Sequence, residues 1–134
     1  MMTKLLLPAL VAMMITGCVS QPTSDVVDTL ISKTWVVEYL NNQGIIDNSR
    51  ITLDFNNEGR VAGMASCNRY FAGYSIDNRA IKVEQAASTM MACSDALMTQ
   101  ENHFLDTLQS VHSFDIDGTG ALILSGDNIR ILAR

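Results

Sequence analysis

The residues best suited to chemistry in this chain are three cysteines, at positions 18, 67 and 93. Cys67 precedes Asn68 in GMASCNRYFAGYS (residues 63–75), and four uses are open to its sulfur: nucleophile, metal ligand, half of a disulfide, or packed apolar atom. A nucleophile needs a reduced thiol and a base that stabilises the thiolate. Neither C-x-x-C nor G-x-S-x-G occurs, so no redox dithiol or serine nucleophile is nominated. Zinc would have to draw on Cys67, Cys93, His103 and His112, yet the two histidines are nine residues apart and point to different sides of a helix. The thioethers of Met64, Met90, Met91 and Met98 suit Cu(I). Methionine's commoner use is to fill gaps in a small core, and that is the role expected of them. DIDGTG (residues 115–120) has the aspartates of a calcium loop but lacks its twelve-residue frame and closing glutamate, and reads as a hairpin turn. We therefore expect no catalytic residue, no metal and no cofactor.

The compartment decides among the remaining uses of Cys67. Lys4 followed by the apolar run LLLPALVAMMITG (residues 5–17) has the layout of a secretory signal and is too short to span a bilayer. ITGC (residues 15–18) resembles the bacterial lipoprotein signal. The resemblance implies cleavage before Cys18, lipidation of Cys18, and anchorage through several acyl chains. Val19 and Ser20 follow, with no aspartate, as in lipoproteins forwarded to the outer membrane, so the expected address is the periplasmic face of that membrane. The expected division is a signal peptide at 1–17, a lipidated tether at 18–24 and a single domain at 25–134. Without Lys4, eight basic side chains face fourteen acidic ones, a net charge of −6, which disfavours nucleic-acid binding and adhesion to anionic lipid. With Cys18 used by lipid, Cys67 and Cys93 are an even pair in an oxidising compartment, and a disulfide between them is expected.

The elements that must position this pair follow from periodicity. SDVVDTLIS offers a short helix with Ser24 as N-cap and Val27, Leu30 and Ile31 on one face. From Trp35 the period becomes two. TWVVEYL, RITLDF, RVAGMAS, YFAGYSI and AIKVEQ read as strands separated by NNQG, NNEG, the Cys-Asn element and DNR. Ile51, Leu53 and Phe55 share one face, as do Tyr70, Ala72, Tyr74 and Ile76. Gly63 and Gly73 flank the Cys-Asn element where a strand bulges or another backbone comes close, and Asn68 suits a sharp reversal in the left-handed region. After Cys93, capped by Ser94 or Asp95, comes a helix with Leu97, Phe104, Leu108 and Val111 on one face, Asp95 and Glu101 complementing its dipole. SFDI, ALILS and IRILAR are the last strands. The fold class is α+β: a strongly curved antiparallel sheet or partly open barrel of about eight strands, with one main helix after the fifth strand covering an opening.

Trp35, ITLDFNNEGRVAGMASCNRYFAGYS (residues 51–75), STMMAC (residues 88–93) and ENHFLDTL (residues 101–108) resemble the META domain, an HslJ-like family of heat-shock envelope proteins. The ordered motifs G-x-x-x-C-N and T-x-M-A-C carry most of the resemblance, through Gly63, Cys67, Asn68, Thr89 and Cys93, with Trp35 and Glu101 as further motif positions. Ser66 departs from the pattern, which favours glycine before the first cysteine. The resemblance implies a compact β-rich domain with one main helix, a link to heat stress and novobiocin tolerance, and no established catalysis. Two functions follow as expectations: an anchored, monomeric, non-catalytic protein that binds an envelope protein or polymer under stress, or a carrier of a small apolar ligand in a lipocalin-like pocket. Trp35, Phe55, Tyr74 and Phe104 packed in a solid core would exclude the second.

Overall fold

The computed structural model describes residues 22–134, so Cys18 and the residues read as a signal peptide lie outside it. The elements in chain order are α1 (Pro22–Ile31), β1 (Trp35–Leu40), β2 (Gln43–Gly44), β3 (Thr52–Phe55), β4 (Arg60–Met64), β5 (Arg69–Asp77), β6 (Ala80–Val83), β7 (Ala87–Ser88), α2 (Asp95–Ser110), β8 (Ser113–Ile116), β9 (Leu122–Gly126) and β10 (Ile129–Ala133). The eight expected strands are all present, and β2 and β7 are two-residue additions paired to β1 and β5. α1 starts at Pro22, two residues before the Ser24 assigned as its N-cap.

All pairings are antiparallel, and they run β1–β3–β4–β5–β6–β8–β9–β10 and back to β1. The barrel is closed. Val36 and Arg134 exchange backbone hydrogen bonds of 2.8 and 2.9 Å, and the Asn41 N–H donates to the Arg130 carbonyl at 2.7 Å. Asn41 and Asn42, at φ 50° and 64°, form the two-residue turn from β1 to β2, where the left-handed backbone matches the strand twist. Alternation along the strands sends Trp35, Leu53, Val61, Leu122, Leu124 and Ile131 inward, all fully buried. An eight-stranded barrel has an interior just wide enough for side chains. Trp35, Phe55 and Phe104 fill this one, while Tyr74 is half-buried with its hydroxyl on the Asn56 carbonyl, so the lipocalin-like pocket gives way to a packed core.

α2 packs against β6 and β10, with Phe104 and Leu108 fully buried, Val111 nearly so at its C-cap, and Leu97 half-buried. α1 packs against β3 and β8, and its buried Leu30 offers its carbonyl to the Trp35 indole N–H at 2.8 Å. Trp35 thereby ties the N-terminal helix to the barrel.

Candidate functional site

The β4–β5 connection is four residues, Ala65 to Asn68, closed by the Ala65 N–H donating to the Asn68 carbonyl at 2.8 Å. The reversal is made by Ser66 at φ 92°, not by Asn68, whose φ is not positive. At this φ a Cβ is strained and a glycine would not be. Gly63 serves a different need. A Cβ on it would lie 2.3 Å from the Thr52 carbonyl oxygen, so the chain can pass only where no side chain intervenes. At Gly73 a Cβ would meet the end of the flexible Glu84 side chain, not a backbone.

Cys67 and Cys93 are joined, with Cα atoms 6.0 Å apart, which commits both sulfurs and leaves no thiolate for nucleophilic or metal chemistry. The bond fastens the β4–β5 turn to the residue before the α2 cap. Ser94 is that cap, although its side chain makes no capping bond.

Glu101 completes the brace. It is the seventh residue of α2, beyond the first turn, and it is buried on the same stripe as Phe104 and Leu108. The dipole role expected of it fails because the helix field fades after the first turn. Instead its Oε2 accepts the backbone N–H groups of Cys67 (3.0 Å) and Asn68 (2.6 Å), and its Oε1 accepts Asn68 Nδ2 (2.7 Å). Asn68 Oδ1 in turn accepts the Thr89 hydroxyl (3.0 Å) and the Met91 N–H (2.6 Å), while Nδ2 also reaches the Met91 carbonyl at 3.4 Å. Asn68 thus bonds the 89–91 segment and α2, not its own backbone. Buried polar groups of this kind cost free energy unless every one is matched. Here none of the buried side-chain nitrogen or oxygen atoms among the described residues is unpaired.

Next along α2, Gln100 clamps the surface over this brace: its Nε2 donates to Ser49 Oγ (2.6 Å) and Ser66 Oγ (3.0 Å), and its Oε1 accepts the Ile46 N–H. On the other side Tyr70 donates to the Thr52 carbonyl at 2.7 Å and stacks edge-on to Phe104, ring centroids 5.3 Å apart. Burial, with a smaller contribution from the Asp54 charge, pushes its phenol far above the usual tyrosine range.

The motif positions Cys67, Asn68, Thr89, Cys93 and Glu101 therefore meet in one brace, while Gly63 sits on β4 against Thr52 and Trp35 stands apart at the α1 junction. What the brace presents to solvent is apolar. Met90 is 95% exposed and Met91 60%, which corrects their expected place in the core: the hydrogen bonds of Thr89 and Met91 and the Cys93 bond fix this backbone outside the barrel. Met64 and Met98 are half-buried. Phe71, 50% exposed, lies on the adjoining outer face of β5. Its outward position was legible from the alternation that turns Tyr70 and Ala72 inward. The roles of Glu101 and Gln100 were not, apart from one hint: a carboxylate in line with Leu97, Phe104 and Leu108.

His103 and His112 go separate ways. Asn41 Oδ1 accepts the Arg130 N–H, so Asn41 Nδ2 is what faces His103 Nε2 at 3.1 Å, while His112 Nε2 lies 3.2 Å from Asp127. Among the described residues no three His, Cys, Asp or Glu side chains gather as a metal site. In DIDGTG, Asp117 accepts Thr119 N–H, the Thr119 hydroxyl and the Ala121 N–H, which lowers its pKa and closes the turn from within. A cleft of about 510 Å³ lies outside the lumen, between the β1–β2 hairpin and α2, lined by Leu40, Ile46, Ala96, Thr99, Gln100 and His103 among others.

A model of the META domain family matches residues 28–134. Among solved structures, an NMR structure of a Burkholderia xenovorans protein is similar at 19% identity, covering 95% of this chain and 96% of its own, with a TM-score of 0.63. A crystal structure of a DUF4847 family protein from Bacteroides vulgatus is similar at 14% identity, covering 80% of this chain and 95% of its own, with a TM-score of 0.58. At these identities the likeness is one of fold. No curated protein matches the sequence.

Proposed function

The chain belongs to the META domain family, and on that premise we propose that it is a non-catalytic binding protein, held by lipid on Cys18 at the periplasmic face of the outer membrane, that engages an envelope protein during heat or envelope stress. One observation carries the binding role. A disulfide and a fully matched buried network are spent on immobilising a loop that displays two methionines, Met90 and Met91, to solvent. Methionine's flexible, polarisable side chain suits surfaces that adapt to a partner, and an ordered mount lowers the entropy lost on binding. The lipoprotein-like ITGC signal, the disulfide and the acidic mature chain are each consistent with that address.

The test is a photo-crosslinking residue in place of Met90 in the full-length gene, expressed in cells, with Asp77 as the exposed control position. The expected result is a discrete adduct from position 90, strengthened by heat shock and absent from position 77. Equal background labelling at both positions would refute the reading. Mass spectrometry of the mature N-terminus, expected to begin at an acylated Cys18, tests the anchor separately.

A further inference from the structure

The brace ends in an unguarded strand edge. β7 pairs with β5 through Tyr70–Ser88 and Phe71–Ala87, and the Thr89 N–H donates to the Arg69 carbonyl at 3.0 Å. In an antiparallel ladder bonded and unbonded pairs alternate. With Arg69–Thr89 bonded, Phe71–Ala87 is the next bonded pair, and the N–H and C=O of Ser88 point away from β5. Two residues earlier the same edge is covered, because Gln109 Oε1 of α2 accepts the Ala86 N–H at 3.1 Å. At Ser88 that cover ends.

Natural sheets protect such edges with charge, proline or a bulge. From Gln85 to Ser94 this chain has no charged residue and no proline, and Ala87 and Ser88 are both exposed. The face beside the edge combines apolar side chains with two arginines. Register places Ala62 and Met64 of β4, and Ala87 of β7, on the same outer side as Phe71. Arg69 lies two residues from Phe71 on that side, and the Arg60 guanidinium sits 5.3 Å from the Phe71 ring centroid. Among the described residues neither arginine has an ion-pair partner, in a chain of net charge −5. Two carboxylates border this face: Asp54, which accepts the Thr34 hydroxyl, and Glu84, whose side-chain end lies over Gly73; neither forms an ion pair with Arg60 or Arg69.

We infer that β7 accepts an extended, acidic segment of a partner protein as an added β-strand, bonded to the Ser88 backbone, with alternate apolar side chains on Phe71 and Met90 and carboxylates on Arg60 and Arg69. Strand addition draws affinity from main-chain hydrogen bonds and specificity from alternate side chains. The arginines add discrimination by charge. The inference rests on the proposed binding role and specifies the partner's chemistry.

The experiment selects a random twelve-residue phage-displayed peptide library against the full lipidated chain in detergent, then measures the selected peptides on variants. Ser88→Pro removes the outward N–H at an edge position where proline is tolerated. The expected pool is net acidic with alternating apolar residues, and its binding falls about tenfold or more with Ser88→Pro and with Arg60→Glu/Arg69→Glu. As a check independent of the variant's folding, N-methylating one alternate set of peptide amides abolishes binding and methylating the other set does not. Binding that survives Ser88→Pro and both methylated sets but is lost with Met90→Ser/Met91→Ser overturns strand addition and leaves the proposed function standing. A pool without acidic bias, or no selected peptide at all, also overturns the inference. So does a dimer in sedimentation that Ser88→Pro abolishes, which would assign the edge to a second copy of this chain.

Discussion

The brace predicts a specific exchange. Replacing Glu101 by Gln changes one oxygen to an NH₂ group. If that group takes the Oε1 position it meets Asn68 Nδ2, which sits 2.7 Å from Oε1, donor against donor; turned over, it meets two backbone N–H groups instead. Asn68 cannot turn to accommodate it, because its Oδ1 already accepts the Thr89 hydroxyl and the Met91 N–H. Losing one hydrogen bond to a charged group in a buried site costs about 1.5 to 3 kcal/mol, so Glu101→Gln should destabilise by roughly 2 to 3 kcal/mol. Asn68→Asp alone sets oxygen against oxygen and should cost at least as much. Together the two changes reverse the polarity of the pair. The introduced amide then donates through its nitrogen to the introduced carboxylate, its oxygen keeps both backbone N–H groups, and the carboxylate keeps Thr89 and Met91. Only the long Asn68–Met91 contact of 3.4 Å is lost. The double variant should therefore recover about 2 kcal/mol or more relative to the sum of the singles, the coupling expected of directly bonded groups. Urea unfolding of the oxidised chain, followed by fluorescence of its single tryptophan, Trp35, measures all four proteins. A Glu101→Gln cost below about 0.5 kcal/mol, or a coupling energy within the roughly 0.5 kcal/mol expected of independent sites, would refute the network as the source of the loop's rigidity.

Reducing the Cys67–Cys93 bond, whose ends are 26 residues apart, should destabilise by about 3.5 kcal/mol on the chain-entropy relation, read as a lower urea midpoint in reductant. Gly63→Ala should cost about 2 kcal/mol or more by overpacking against the Thr52 carbonyl, and a thermal melt indistinguishable from the parent would contradict it. At Ser66 both Gly and Ala lose the Gln100 bond, but only Gly relieves φ 92°, so Ser66→Gly should exceed Ser66→Ala in stability by about 1 kcal/mol. Tyr70 keeps its proton in the folded chain far above the pH at which the unfolded phenol, near 10, loses it. Its contribution is therefore complete below about pH 10 and lost progressively above it; Tyr70→Phe should flatten that alkaline decline in unfolding free energy, and an unchanged slope would contradict it.

Much of the barrel was legible because alternation is local. RITLDF states which of Ile51, Leu53 and Phe55 face inward without reference to any other strand, and the same holds for β5. Thr52 shows the limit of the pattern: it stands on the outward side of β3 yet is buried, because its Oγ1 accepts the Met64 N–H and the Gly63 backbone crosses it closely. The methionines show another limit. Met90 and Met91 are as apolar as any core residue, and nothing in STMMAC says that Asn68, more than twenty positions away, will hold their backbone outside the barrel.

The amino-acid order by itself determined the positions of eight strands, the inward faces of β3 and β5, the amphipathic α2, the turns at asparagine and glycine, and the pairing open to Cys67 and Cys93. Tertiary structure alone decided that β10 returns to β1 and closes the barrel, that Glu101 accepts the Cys67–Asn68 turn instead of serving its own helix, and that β7 ends in an uncovered edge. Periodicity reports each residue's relation to its immediate neighbours along one strand or helix. The closing hydrogen bonds of β1 with β10 and the carboxylate bonds across 33 and 34 positions exist only once separate segments have been brought together by the burial of their common core.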